Sequence, residues 1–284
     1  MNALTSLDAR GSGGAVVRLL TVERDVTVLP AALIALGKLQ VHGAQHVLTA
    51  YAAHAHPAVR AAALTAAGDL GGPVNRRLLL NSLQMAGAED GDWLVRSSAI
   101  LALAKVGRAA DLDLVQRVYR EGGGAGSWLA RSAVARVLAA LHPRPRAALE
   151  RMLQDPDIRV AVTAAAGLAQ AGLEDVLLMH LRSAQASVRA AAVGGVRQAR
   201  LRRALPRLRH MGRWDRNRAV RWAAAVALFA LEDPEGDELM LEALKSREVA
   251  IWVEALAHLA RRTGAAHARD VRAWRAELRR WRAR

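Results

Sequence analysis

The sequence predicts an all-α fold, an α-solenoid in which about eight helical hairpins stack as a superhelix between N- and C-terminal capping helices. Three observations carry this expectation. The 284 residues are 52% hydrophobic but only 4% aromatic, so the core must be packed by small and aliphatic side chains. A Val-Arg pair followed by small residues recurs along the chain. Polar cap residues precede each copy and turn residues follow it, as helix ends require.

The clearest copies are Val59-Arg60-Ala61-Ala62, Val95-Arg96-Ser97-Ser98, Val188-Arg189-Ala190-Ala191 and Val220-Arg221-Trp222-Ala223. Degenerate copies complete a series of anchors at Val28, Val59, Val95, Ala130, Ile158, Val188, Val220 and Ile251, spaced by 31, 36, 35, 28, 30, 32 and 31 residues. A period of this size is the signature of a stacked repeat.

Each unit opens with a helix. Three residues before the anchors stand Asp25, His56, Asp92, Ser127, Asp155, Gln185, Asn217 and Glu248, five of which are strong N-cap types. Their side-chain oxygens accept the unpaired amides of a first turn. Pro57 and Pro156 follow two of them, where the missing N–H costs nothing. Ala and Gly three and seven residues after most anchors let neighbouring helices approach closely. Gly71, Gly107, Pro143 and Pro234 mark turns, and a second amphipathic segment follows in Leu112 to Tyr119, Ala147 to Leu153, Val176 to Leu181 and Leu239 to Leu244. Such a hairpin cannot bury its apolar face alone, so consecutive units must stack.

The expected organisation is a flexible segment over 1–14, a single repeat domain over 15–284, a first capping helix over Ala15 to Val22 and a last one over 268–284. Trp274 and Trp281, seven residues apart, supply the inward face of that last helix. The cap, Val-Arg, small residues, turn and second helix are together similar to HEAT repeats, of the bacterial type found in phycobilisome lyase subunits. The resemblance covers residues 15 to 284. It implies a right-handed superhelix whose second helices line a concave face, used mostly for binding proteins.

Composition narrows the function. The longest nearly uncharged apolar stretch, Val26 to Gly37, is 12 residues and contains Pro30. A bilayer span needs about 20, so no membrane span is expected. Met1 to Arg10 lacks a basic start and apolar run, so no secretory signal is expected. With no cysteine, thiolate chemistry and Cys-ligated metals are excluded. A cytoplasmic location fits. No phosphate loop, nucleophile elbow or His-Glu pair is present, so the expectation is a non-enzymatic protein without a cofactor. His42 and His46 share a helical spacing but have no ligand set around them. Gly122 to Gly124 read as a connecting loop.

The net charge of +15 is uneven. Residues 197–221 hold 10 basic and 1 acidic residue, 222–260 hold 2 and 8, and 261–284 hold 9 and 2. The basic block is therefore the candidate binding site: Arg202, Arg203, Arg207, Arg209, Arg213, Trp214, Arg216 and Arg218. Guanidinium forks there suit carboxylate or phosphate. Three readings stand: an acidic protein or peptide partner, nucleic acid on a glycosylase-like basic face, or internal pairing with the glutamates of 232–254. A lyase or lyase-helper role follows only from the repeat type. The Val-Arg arginines Arg60, Arg96, Arg131, Arg159, Arg189 and Arg221 read instead as a structural ladder bridging units. Leu29 and Trp252 break it at the ends. Trp93 and Trp128, at matching first-turn positions, read as cover for the seam between units.

Overall fold

The computed structural model describes residues 9–85, 92–108, 111–121, 128–140 and 145–284. Among them every regular element is helical. A leading helix α1 (Ala9–Val22) precedes paired helices: α2 (Leu29–Lys38) with α3 (Gln45–Tyr51), α4 (Pro57–Leu70) with α5 (Gly72–Met85), α6 (Asp92–Val106) with α7 (Leu112–Glu121), and α8 (Trp128–Ala140) with α9 (Arg146–Met152). The series continues in chain order with α10 (Ile158–Gln170) and α11 (Glu174–His180), then α12 (Ala186–Gln198) with α13 (Leu205–Trp214), α14 (Arg218–Ala230) with α15 (Pro234–Ala243), and α16 (Val249–Thr263) with α17 (Val271–Arg282). Helix α17 is thus the second helix of the last pair. Helix α1 begins at Ala9, six residues earlier than expected. It runs through Gly13, where a Cβ would stand 2.7 Å from Val41 Cγ2, so the glycine permits close packing.

The chain divides into two compact units, Met1–Gly167 and Leu168–Arg284. In the first, α2, α4, α6 and α8 pack in succession. Small residues set their separation: a Cβ on Gly37 would lie 2.8 Å from Ala66 Cα, and one on Gly68 2.5 Å from Ala102 Cβ. In the second unit, α12 packs on α14, which carries both α13 and α15, and α15 holds α16 and α17.

The anchors Val59, Val95, Ala130, Val188 and Val220 are 0–5% exposed. In the fifth pair the buried position is Val160 (0%) and not Ile158 (43%), because α10 begins at Ile158 and its inward face falls two residues later. A left-handed residue ends several first helices twelve residues after the anchor: Gln40 (φ 54°), Gly71 (φ 67°), Arg200 (φ 53°) and Glu232 (φ 62°). Gly172 (φ 68°) keeps the same distance from Val160.

The strong N-cap types among the described side chains each accept a backbone amide. Asn217 accepts the Val220 amide at 3.2 Å, while Asp25 and Asp155 accept the amides two residues on, from Thr27 (2.8 Å) and Asp157 (2.9 Å). His56, Gln185 and Glu248 make no side-chain cap bond. Ser127 and the loop Gly122–Gly124 lie outside the described residues, as does the side chain of Asp92.

Candidate functional site

The ladder arginines act on the loops that join hairpins. Arg60 Nη1 donates to the carbonyls of His54 (2.8 Å) and Ala55 (2.7 Å), six and five residues upstream. Arg189 Nη1 does the same to Ser183 (2.8 Å) and Ala184 (2.9 Å), and its Nε and Nη2 fork onto Asp215 at 2.8 and 2.7 Å. Arg221 Nη1 reaches the Asp215 carbonyl at 2.7 Å. Arg131 forks onto Asp155 at 2.9 and 3.1 Å. Arg96 is 8% exposed and lies 5.3 Å from the Trp93 ring centre. Arg60, Arg189 and Arg221 thereby satisfy part-buried loop carbonyls, and Arg131 and Arg189 satisfy buried carboxylates. The Arg189 guanidinium beside it holds the Asp215 carboxyl below its ordinary value.

Arg159 departs from the ladder. With Val160 as the inward residue, the equivalent of Arg60 is Ala161, and Arg159 turns to the neighbouring Asp157 at 2.6 Å and covers the Trp128 ring at 3.8 Å. The ends are repaired by arginines outside the repeat pattern. Arg24 Nη1 donates to the Glu23 carbonyl at 2.8 Å in the first hairpin. In the last, Arg269 stacks 4.9 Å from Trp252 and donates to the carbonyls of Leu244 (2.7 Å) and Ser246 (2.8 Å).

Most of the basic block is sewn to acidic residues. Arg209 meets Asp233 at 2.6 Å, Arg213 meets Glu242 at 3.1 Å and also Glu235, and Arg218 meets Glu248. Arg203 meets Glu174 at 2.7 Å, and Arg202 approaches Glu232 to 4.0 Å. Arg207 Nη2 donates to the Leu181 carbonyl at 3.3 Å. Hydrogen bonds donated to Asp233 and Glu235 raise the Arg209 and Arg213 guanidinia above the ordinary arginine value. Acidic α15 is likewise held from its other side: Asp237 receives Arg262 (3.0 Å) and Arg282 (2.6 Å), and Glu238 receives Arg275 (2.7 Å).

What the pairs leave over lies at the loops. Trp214, the last residue of α13, is 73% exposed. Arg216 beside it is exposed and has no carboxylate partner among the described residues. Arg182, Lys245 and Arg247 share both properties. Arg182, Trp214 and Lys245 each stand six residues before the anchors Val188, Val220 and Ile251, and Arg216 and Arg247 stand four before theirs, so all five occupy matching loops of successive hairpins. Three of them escaped the sequence reading because they are scattered over separate loops with no local charge density. The shared offset from the anchors is the signal that finds them.

No group of three or more metal-ligating side chains occurs among the described residues, and no helix there is long and apolar enough to cross a membrane. His54 Nδ1 accepts the His56 amide at 3.0 Å.

No protein-family model matches the sequence, and no curated protein matches it. Among solved structures, a mutant of Kap121p is similar with a TM-score of 0.52 and 12% identity, over 97% of this chain and 36% of that one. Kap121p itself gives 0.50 and 12%, over 96% and 36%. YibA from E. coli gives 0.49 and 14%, over 84% of this chain and 96% of that one. This chain therefore spans about a third of the Kap121p chain. At these identities the likeness concerns the fold, which is an all-α solenoid built of HEAT-like helical hairpins.

Proposed function

We propose that the chain is a non-catalytic docking module whose second unit holds an acidic, extended polypeptide along the loops between hairpins. The observation that carries this reading is Trp214, 73% exposed, which takes the same place relative to its anchor as Arg182 and Lys245 take relative to theirs, with Arg216 and Arg247 two residues on; these four cations have no carboxylate partner among the described residues. An exposed indole beside unpaired guanidinia offers apolar area and charge together, the combination that anchors an acidic chain. Arg202 and Arg203 add to it. Their pairs are exposed on both sides, at 73% and 45% for Arg202 with Glu232 and 57% and 38% for Arg203 with Glu174. Such pairs contribute about 0–1 kcal/mol and exchange readily for a partner's carboxylates. Arg209 does not, because Asp233 is 2% exposed and would be left charged in the interior.

A second reading, single-stranded nucleic acid, is favoured by the same indole, whose face can stack on a base. Titration with a Glu-rich peptide and with an oligothymidylate separates the two. The peptide is expected to bind wild type and to lose binding in W214A and in K245E/R247E. If only the oligonucleotide binds, with a log-log salt slope of about −3.5 for five contacted phosphates, the nucleic-acid reading replaces the first. Binding of neither removes the docking site.

A further inference from the structure

A second cationic feature, independent of Trp214 and its loops, lies in the first unit. A cavity of about 10 Å3 opens between α7, α8 and α9. Gln116, Tyr119 and Arg120 of α7 and Arg151 of α9 form its rim, and Leu138 and Met152, 0% and 1% exposed, belong to its floor. That volume accommodates one water-sized group.

Among the described residues the rim cations have no counter-charge. Arg120 and Arg151 are exposed and neither has a carboxylate partner among the described residues. Tyr119 supplies no counter-charge: burial and the neighbouring Asp155 push its phenol up to about 12, so it is neutral at physiological pH. Asp155 is itself held in the Arg131 fork at 2.9 Å, with its side chain 2% exposed. Two guanidinia therefore face a small cavity with an apolar floor. A guanidinium matches a carboxylate through two parallel N–H bonds. A phosphate would turn one of its charged oxygens toward Leu138 and Met152, at a desolvation cost that an alkyl carboxylate avoids.

We infer that Arg120 and Arg151 bind an aliphatic carboxylate across the mouth of this cavity, its oxygens held by the two guanidinia and no more than one methylene group seated against the apolar lining. Two sources share that chemistry: a free short-chain acid, and a glutamate side chain of a bound polypeptide.

The test uses the full chain, with butyrate and tetraglutamate as probes at constant ionic strength, read by ligand-observed NMR. Butyrate is expected to bind, and R120Q or R151Q to weaken it about tenfold, the effect of losing one charge-assisted hydrogen bond. W214A should bind as wild type does. Circular dichroism and melting check that both glutamine variants remain folded, which their exposed positions favour. If tetraglutamate alone binds and is lost in R151Q, the site stands and its ligand is a polypeptide. Absence of binding by both probes, or binding unchanged in R120Q and R151Q, overturns the inference.

Discussion

Replacing Arg189 by Met tests what joins the hairpins. The guanidinium makes four hydrogen bonds: two to Asp215 at 2.8 and 2.7 Å, and one each to the carbonyls of Ser183 and Ala184 at 2.8 and 2.9 Å. The side chains of the pair are 12% and 6% exposed. Methionine keeps much of the packing but leaves a carboxylate and two carbonyls without that donor. Breaking one partner of a buried ion pair costs about 3–5 kcal/mol. Asp215 keeps the Asn217 amide at 2.9 Å, which places R189M near the low end, at about 3 kcal/mol. Urea unfolding at pH 7 measures this as a lower midpoint at unchanged slope. The pH dependence fixes the cause. In wild type the Asp215 carboxyl is depressed below its ordinary value of 3.8, so its stabilisation is present above that value and is lost as pH falls through the folded one. In R189M the carboxyl keeps its burial, the Asn217 amide and the nearby Arg207 charge but loses the guanidinium fork, so it titrates higher than in wild type and the deficit should shrink as pH falls toward and below 3.8. Adding D215N should recover at least about 1 kcal/mol, since a neutral amide replaces the stranded charge. A loss under about 1 kcal/mol at pH 7, or no recovery in the double variant, would refute the role assigned to the ladder.

Three further outcomes follow from the geometry. Arg200 holds φ 53°, a region that costs a non-glycine residue about 1–2 kcal/mol; R200G should therefore raise the stability measured by urea unfolding by about 0.5 kcal/mol once the greater freedom of glycine in the unfolded chain is subtracted. A methyl group on Gly68 would stand 2.5 Å from Ala102 Cβ and 2.8 Å from its Cα, so G68A should separate α4 from α6 and cost about 1–3 kcal/mol, whereas G43A, with nothing within 4 Å, should melt no lower than wild type. Asp157 is held at about 2 by hydrogen bonds from Arg159; an NMR titration should show its carboxylate intact until pH falls through about 2, and R159A should return it toward 3.8.

The hairpins were legible because helix starts, small-residue faces and turns are local signals, each written within a few residues. The ladder was legible only in part, because it is a property of a place in space and not of a sequence pair. The site is a set of loop carbonyls, such as those of Ser183 and Ala184, and any guanidinium that reaches them serves. Matching on Ile158-Arg159 followed the pair of letters and missed the site, whereas burial of Val160 places Ala161 there. Gly172, twelve residues after Val160 as Gly71 is after Val59, was the signal that could have set the register. Arg24 and Arg269 fill the site at the two ends from positions that no repeat alignment would select. The same limit governs the basic block. Its charge could be counted, but Arg209 and Asp233 are 24 residues apart, and Arg213 and Glu242 are 29 apart, so their pairing depends on how successive second helices align. Once those pairs are made, the block's density loses its meaning, and on the docking function proposed above the cations left for a partner are those with no carboxylate among the described residues, or with only an exposed one. This reverses the usual weighting of charge runs: in a stacked repeat, a dense basic helix beside an acidic one is mostly mortar, and isolated arginines at repeating loop positions are the exposed face.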